Sequence, residues 1–206
     1  MNKLTLNNIE IQRWFRDMGD NTHILNYDLN ENSNVIDLGG YTGVWAELMI
    51  KKYNSNIYIL EPVSSFYHGM VSKFSSNNKV HLLNVGIGSE NKDGIIYLSD
   101  DGTSSNLSNG ETINVKFNTF ETILENWGLL EVDLLQMNIE GDEYPVLEHM
   151  IETGYINKVK NIQIQFHLGV DEAVERRNKI HEKLIANGFK IKFNYPFVWE
   201  SWTKNN

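Results

Sequence analysis

The chain has 206 residues, 41% of them apolar and 22% charged, so it reads as a globular protein able to bury a sizeable core rather than as a disordered one. Its formal net charge of -9 comes without a Lys/Arg block, and a surface that tracks phosphates needs one, which disfavours nucleic acid as a partner. The absence of cysteine excludes disulfides and thiolate metal sites; no window reaches membrane-spanning length and the first residues lack a signal-peptide core, so the default expectation is a cytoplasmic protein.

Short apolar runs alternate with helical patterns along the chain, the signature of a mostly parallel sheet with helices between its strands. The segment up to Asn30 is expected to supply a covering helix, around 9–18. NVIDL (34–38) predicts the first strand and GVWAELMIKKY (43–53) the helix after it. NIYIL (56–60) predicts the second strand, and a helix over 64–75 with a strand over 80–84 completes the first half. Within 94–117 the pattern changes to an insertion. GIIYLSD and ETINVKF read as two extended ribbons around the polar loop DDGTSSNLSNG, which is either a plain connection or a cover near a substrate.

The alternation then resumes. A short helix is expected over 118–127, with Asn118 or Thr119 as its N-cap, followed by a buried strand over 132–139. The helix over 143–153 tolerates Pro145 in its first turn and stops at Gly154. A fifth strand over 159–166 precedes an amphipathic helix over 171–187, ended by Gly188. Segments 189–194 and 197–202 are expected to form a closing hairpin, whose Tyr195, Phe197, Trp199 and Trp202 read as packing. No linker or repeat interrupts the chain, so the expectation is a single α/β domain over 1–206.

VIDLGGYTGVW (35–45) is the most informative stretch. Gly39, Gly40 and Gly43 let the backbone turn sharply, approach a ligand and pack the next helix, but their spacing is not the G-x-G-x-x-G of dinucleotide sites. Asp37 at the strand tip would repel a pyrophosphate, whereas it suits a ligand bearing an ammonium and a sulfonium. Glu61 ends the second strand, where an acid can take both hydroxyls of an adenosine ribose. The pair favours S-adenosylmethionine over NAD(P). An NAD(P)-dependent oxidoreductase or epimerase is the rival on such a fold, and it lacks its Tyr-x-x-x-Lys pattern here.

Four blocks in order, DLGGYTG (37–43), Leu60-Glu61-Pro62, QMNIEGDE (136–143) and IQIQFHLG with His167, resemble the FkbM-type methyltransferases over about residues 35–169. The resemblance implies a Rossmann-like class I methyltransferase fold, with a mostly parallel seven-stranded sheet and helices on both faces. It implies S-adenosylmethionine held by Asp37, Gly39, Gly40, Tyr41, Gly43, Glu61 and Pro62, and S-adenosylhomocysteine as product. It further implies methylation of a hydroxyl on a sugar, glycan or related small metabolite.

The bases able to take the hydroxyl proton lie after the fourth and fifth strands: Glu140, Asp142, Glu143 and His167, with His167 closest to neutrality at an ordinary pKa of about 6.5. His167, Glu140 and Asn138 are the expected catalytic set. Glu140 has the alternative of capping amides at the next helix. His23, His68, His81, His149 and His181 show no partner pattern and read as surface or core residues. The chain departs from the family where Tyr41 replaces the usual Asn, Asn138 the usual Asp and Gln136 the usual Lys. Losing that Asp makes a Mg²⁺ or Ca²⁺ site at Asn138 and Glu140 possible but not favoured, and motivates a degenerate, non-catalytic binding protein as a further alternative.

Overall fold

The computed structural model describes residues 3–99, 102–104 and 111–204. The chain begins with helices α1 (Lys3–Arg16) and α2 (Gly19–Thr22). Then come β1 (Asn34–Leu38), α3 (Val44–Tyr53), β2 (Asn56–Leu60), α4 (Ser64–Lys73) and β3 (Val80–Leu83). Four short strands follow: β4 (Gly86–Ile87), β5 (Lys92–Ser99), β6 (Gly102–Ser104) and β7 (Glu111–Asn118). The second half runs α5 (Phe120–Trp127), β8 (Val132–Met137), α6 (Glu143–Glu152), β9 (Val159–Ile164), α7 (Ala173–Ala186), β10 (Phe189–Tyr195) and β11 (Trp199–Lys204).

Seven strands form one sheet in the order β10-β11-β9-β8-β1-β2-β3, parallel except for β11, which runs antiparallel to both neighbours. The central strands are apolar on both faces because helices cover both. Ile36, Leu38, Leu135, Met137, Ile162 and Ile164 pack against side chains of α5, α6 and α7. Val35, Ile57, Ile59 and Leu134 pack against Ala46, Met49, Met70 and Phe74 of the α3–α4 layer. Each such buried aliphatic side chain contributes about 1.5–3 kcal/mol. Chain order reverses between β1 and β8, so the crevice outside their C-terminal ends is where an open α/β sheet binds ligands.

The expected ribbons are β5 and β7, paired antiparallel. The polar loop between them also supplies β6, which pairs with β5, while Asp100, Asp101 and residues 105–110 lie outside the described residues. With β4 these strands make a second sheet in the order β4-β7-β5-β6. Its inner face, Ile96, Val115 and Phe117, packs on Val63 and Phe66 at the start of α4, immediately after Glu61. Of the two candidate caps, Thr119 caps α5, accepting the Thr122 amide at 3.4 Å, and Asn118 is the last residue of β7. The strands expected to reach 139 and 166 end at Met137 and Ile164. Pairing persists beyond them, as the Asn138 and Gln165 amides donate to the Leu38 and Met137 carbonyls at 3.2 and 3.0 Å. Helix α1 lays Trp14 against Phe193, Tyr195 and Val198 of the terminal hairpin. Among the described residues no helix is long and apolar enough to cross a membrane.

Candidate active site

The glycine turn after β1 is closed on itself. The Gly39 and Gly40 amides both donate to the Leu60 carbonyl at 3.1 Å, and the Gly43 amide donates to the Gly40 carbonyl at 2.8 Å. A side chain at Gly39 (φ 87°) would put its Cβ 2.3 Å from the Asn138 carbonyl oxygen, so here the β1 and β8 exits touch. A Cβ at Gly40 would sit 2.2 Å from Ile59 Cγ2, and one at Gly43 2.7 Å from the Phe74 ring. The last two glycines thus serve packing of α3 and α4 on the sheet. Tyr41 has a left-handed backbone (φ 50°); its ring is 60% exposed and meets Phe66 edge-on at 4.5 Å.

Glu61 is buried, and both its oxygens already accept amides: Oε2 from Tyr41 and Oε1 from Val63, each at 2.8 Å. The sequence reading gave Glu61 a ribose role alone; it also fixes the turn, and its remaining lone pairs are what a diol would meet. The Asn84 amide nitrogen clamps the same exit, donating to the carbonyls of Glu61 (2.8 Å) and Pro62 (3.1 Å). Asp37 is 1% exposed. Burial, then the Glu61 charge, pushes its carboxyl up to about 7. Burial also pushes Glu61 up to about 7, against the two amides that lower it.

After β8 the chain turns through Glu140 (φ 55°) and Gly141 (φ 111°) into α6. Glu143, 0% exposed, organises this turn: Oε1 accepts the Ile139 amide at 2.9 Å and Oε2 the Gly141 amide at 3.0 Å. Glu143 thus binds the amides of the turn that leads into α6. Glu143 Oε1 also lies 2.9 Å from His167 Nδ1, and Glu140 Oε2 lies 3.4 Å from His167 Nε2. The Tyr144 hydroxyl donates to the His167 carbonyl at 2.8 Å, tying α6 to the β9 exit. Because Glu143 is acceptor-only when ionised, these bonds assign the neutral imidazole proton to Nδ1 and leave the Nε2 lone pair facing Glu140. Burial lowers the His167 pKa, but the Glu143 bond and charge, with Glu140 and a backbone bond at Gln165, outweigh it and the net shift is upward. The ordinary value assumed from sequence is corrected accordingly. Glu140 is raised by burial and by Glu143, with His167 opposing. Asn138 Oδ1 is buried without a hydrogen-bond partner among the described residues, as are Gln136 Oε1 and Asp37 Oδ1.

The structure thus brings Asp37, the glycines, Tyr41, Glu61 and Pro62 together on one side of the Gly39–Asn138 contact, and Asn138, Glu140 and His167 on the other. Sequence reasoning missed Glu143 as the group that holds His167; a carboxylate in the first helical turn that can reach back to loop amides was the available signal. The other histidines have structural partners. His181 Nε2 lies 2.6 Å from the fully buried Glu200, His149 Nε2 2.7 Å from Glu121, and His23 Nε2 3.1 Å from the Tyr195 hydroxyl. Trp202, Tyr195 and Phe197 are buried, consistent with packing. Among the described residues no group of three or more His, Asp or Glu side chains could hold a metal ion.

The causes that shift Asp37, Glu61, Glu140 and His167 are burial, backbone bonds, Glu143 and one another, with no lysine or arginine among them. Two buried carboxylates beside a glycine turn whose amides are already used fit a ligand carrying positive charge and a diol, and repel a pyrophosphate. Sheet order, the antiparallel β11 and this crevice define a class I methyltransferase fold. The chain belongs to the FkbM methyltransferase family: the family model described as the methyltransferase FkbM domain matches residues 37–191.

Solved structures agree on the fold. M. capricolum TrmK in complex with S-adenosyl-homocysteine is 13% identical with a TM-score of 0.51, covering 100% of this chain and 70% of that one. Aeropyrum pernix fibrillarin with natively bound S-adenosyl-L-methionine is 11% identical with a TM-score of 0.50, covering 98% and 74%. A putative caffeoyl-CoA O-methyltransferase from Staphylococcus aureus is 11% identical with a TM-score of 0.51, covering 100% and 85%. No curated protein matches the sequence.

Proposed function

We propose that this protein is an S-adenosylmethionine-dependent O-methyltransferase that acts on a hydroxyl of a sugar, a glycan or a related small metabolite. The observation that carries the reading is the Glu143–His167–Glu140 cluster, set beside the carboxylate-lined turn of the donor side. Bound S-adenosylmethionine supplies an electrophilic methyl group and leaves as S-adenosylhomocysteine. Asp37 and Glu61 provide the negative charge that suits its cationic end and the acceptors that suit its ribose, with Tyr41, Pro62 and the glycines shaping the turn.

A hydroxyl is a weak nucleophile until its proton is taken, and His167 in its neutral form presents the Nε2 lone pair as the base. Glu143 holds the ring in that tautomer and, with Glu140, stabilises the imidazolium that proton transfer creates. Asn138, its buried Oδ1 unpartnered among the described residues, is the group to which we assign orientation of the acceptor. A crevice whose exits carry Asp37, Glu61, Glu140 and Glu143 suits an uncharged acceptor better than a phosphorylated one. That is why a sugar or polyol is favoured here over RNA, although RNA-processing methyltransferases share the fold. The strands of 94–117 flank the start of α4 and are the insertion from which an acceptor cover would be built.

Transfer of a labelled methyl group from S-adenosylmethionine to a panel of neutral oligosaccharides, nucleotide sugars and RNA tests this. Labelling of neutral hydroxyl acceptors, lost in His167→Ala with donor binding kept, is the expected result. Labelling of RNA alone would overturn the acceptor reading, and saturable NAD binding with none for S-adenosylhomocysteine would overturn the cofactor reading.

A further inference from the structure

Asp37 and Glu61 stand at the ends of neighbouring strands, 1% and 4% exposed. Glu61 has two amide donors to stabilise its charge. Asp37 Oδ1 has no partner among the described residues. Beside Asp37 in the β1–β8 register lies Gln136, whose buried Oε1 is also without a partner there. A proton on Asp37 would give its carboxyl a donor to offer at this register position, where the Gln136 oxygen is an acceptor without a partner among the described residues.

Among the described residues of the surrounding elements, no cation supplies an alternative. From β2 comes the like charge of Glu61. From β8 comes neutral Gln136, and beyond it Gln163 of β9, also neutral. The buried residues of α3 and α4 are Ala46, Met49 and Met70, while Glu47, Lys51, Lys52, His68 and Lys73 are on their exposed sides. Lys73 reaches the turn at the Thr42 carbonyl (3.3 Å) but is paired with Glu47 at 2.6 Å. Across the Gly39–Asn138 contact, His167 is engaged by Glu143 and Glu140. A pair of buried carboxylates in this setting cannot both ionise cheaply, and Asp37 is the one without amide support.

We propose that Asp37 is a neutral acid in the ligand-free protein, its proton shared with Gln136, and that the cationic donor binds in exchange for that proton. The inference rests on the S-adenosylmethionine reading above. On binding, the Asp37 O–H bond breaks, the proton leaves to solvent, and the electron pair stays as a carboxylate facing the donor's positive charge. S-adenosylmethionine carries an ammonium and a sulfonium, and the product keeps only the ammonium. The product therefore compensates the carboxylate less well, and some of the proton returns. Donor-over-product preference grows as pH rises, a device set by Gln136, whose amide offers no fixed charge. The upward position of Asp37, about 7, agrees with this placement.

Calorimetry of S-adenosylmethionine and S-adenosylhomocysteine in buffers of different ionisation enthalpy, between about pH 6 and 8, counts the protons. The native protein is expected to release up to one proton with S-adenosylmethionine and fewer with S-adenosylhomocysteine. Donor affinity should rise by up to about tenfold per pH unit below the Asp37 midpoint. In Gln136→Lys a fixed ammonium holds Asp37 ionised from the start, so the donor should bind with no proton release and no pH slope. Glu61→Gln removes a like charge but not the burial, so the release should persist with its midpoint moved down. An infrared band of a protonated carboxylic acid in the ligand-free native protein, lost on adding donor, reads the same proton without any variant. Binding without proton release, or release that persists in Gln136→Lys or disappears in Glu61→Gln, overturns the inference alone. No binding of either ligand by the native protein overturns the cofactor reading and this inference with it.

Discussion

At the ends of β1 and β2 two buried carboxylates, Asp37 and Glu61, have only amides and each other nearby, whereas at the ends of β8 and β9 Glu140 and Glu143 flank an imidazole. The two groups are joined through the Gly39–Asn138 contact and are built on the same sheet, yet they treat charge in opposite ways. The first has no cation among the groups that shift it and so favours a ligand that brings a positive charge. The second carries its own cation-former and so can accept a proton repeatedly without help from the ligand. The proposed methyl transfer from a sulfonium to a hydroxyl would need both, because one side must hold a cation and the other must remove a proton.

Removing the imidazole breaks this division most completely. His167→Ala is expected to lower the transfer rate by about 10²–10⁴-fold, the usual contribution of a positioned general base. S-adenosylhomocysteine affinity, read by calorimetry, should stay near that of the native protein; a parallel loss of affinity would show that the halves are not separate. The pH profile sharpens the same point. His167 is raised above its ordinary value of 6.5, and the base must be neutral to act, so kcat/KM should climb with pH through a midpoint above 6.5. In Glu143→Gln the burial that lowers His167 remains while the charge that raises it is gone, and the midpoint should move down. Linkage gives the accompanying stability change. A raised histidine stabilises the fold below its ordinary pKa and loses that contribution as pH rises through the folded value, so the variant's stability deficit should be larger in acid than in base.

A change at the junction should disturb both halves together. Gly39→Ala places a Cβ against the Asn138 carbonyl at a positive φ, and is expected to cost about 2–4 kcal/mol in urea unfolding. Gly154→Ala, equally left-handed at φ 80° but with nothing within 4 Å, should cost only about 1 kcal/mol. Equal losses would mean that the contact between the two exits is loose.

The sequence told these halves apart unevenly, for physical reasons. Asp37, Glu61 and His167 stood out in the sequence because runs of apolar strand residues end abruptly near them, and such ends border the crevice of an open α/β sheet. The core strands and the covering helices were legible from the same runs, whereas two-residue β4 carries no period to detect. Glu143 was seen as a candidate but not as the residue that holds His167, since that bond joins residues 24 apart through two loops whose relative height only the sheet register sets. The Tyr41 ring, whose place beside Phe66 depends on how α4 meets the second sheet, was likewise invisible. The His167 shift depended on which of burial and charge prevails, and a one-dimensional pattern contains neither.

The smallest expected effect asks whether both exits are held under backbone strain. Glu140 and Tyr41 are non-glycine residues at φ 55° and φ 50°, a left-handed region that costs about 1–2 kcal/mol for a side chain with a Cβ. Truncating either residue also removes contacts, so a single variant confounds strain with lost interactions. Two variants at one position do not: Glu140→Ala and Glu140→Gly both delete the carboxylate, and differ in the Cβ. In ordinary helix or strand positions alanine is the more stable by about 0.5–1 kcal/mol. At Glu140 the order should reverse, with the glycine variant more stable by about 1 kcal/mol in urea unfolding, and Tyr41→Gly should exceed Tyr41→Ala by a similar margin. A reversal at Glu140 but not at Tyr41 would assign the strain to the acceptor side alone, where a carboxylate must be presented to His167. The donor-side turn, clamped through the Tyr41 amide to Glu61, would then be a relaxed loop whose geometry its glycines suffice to set.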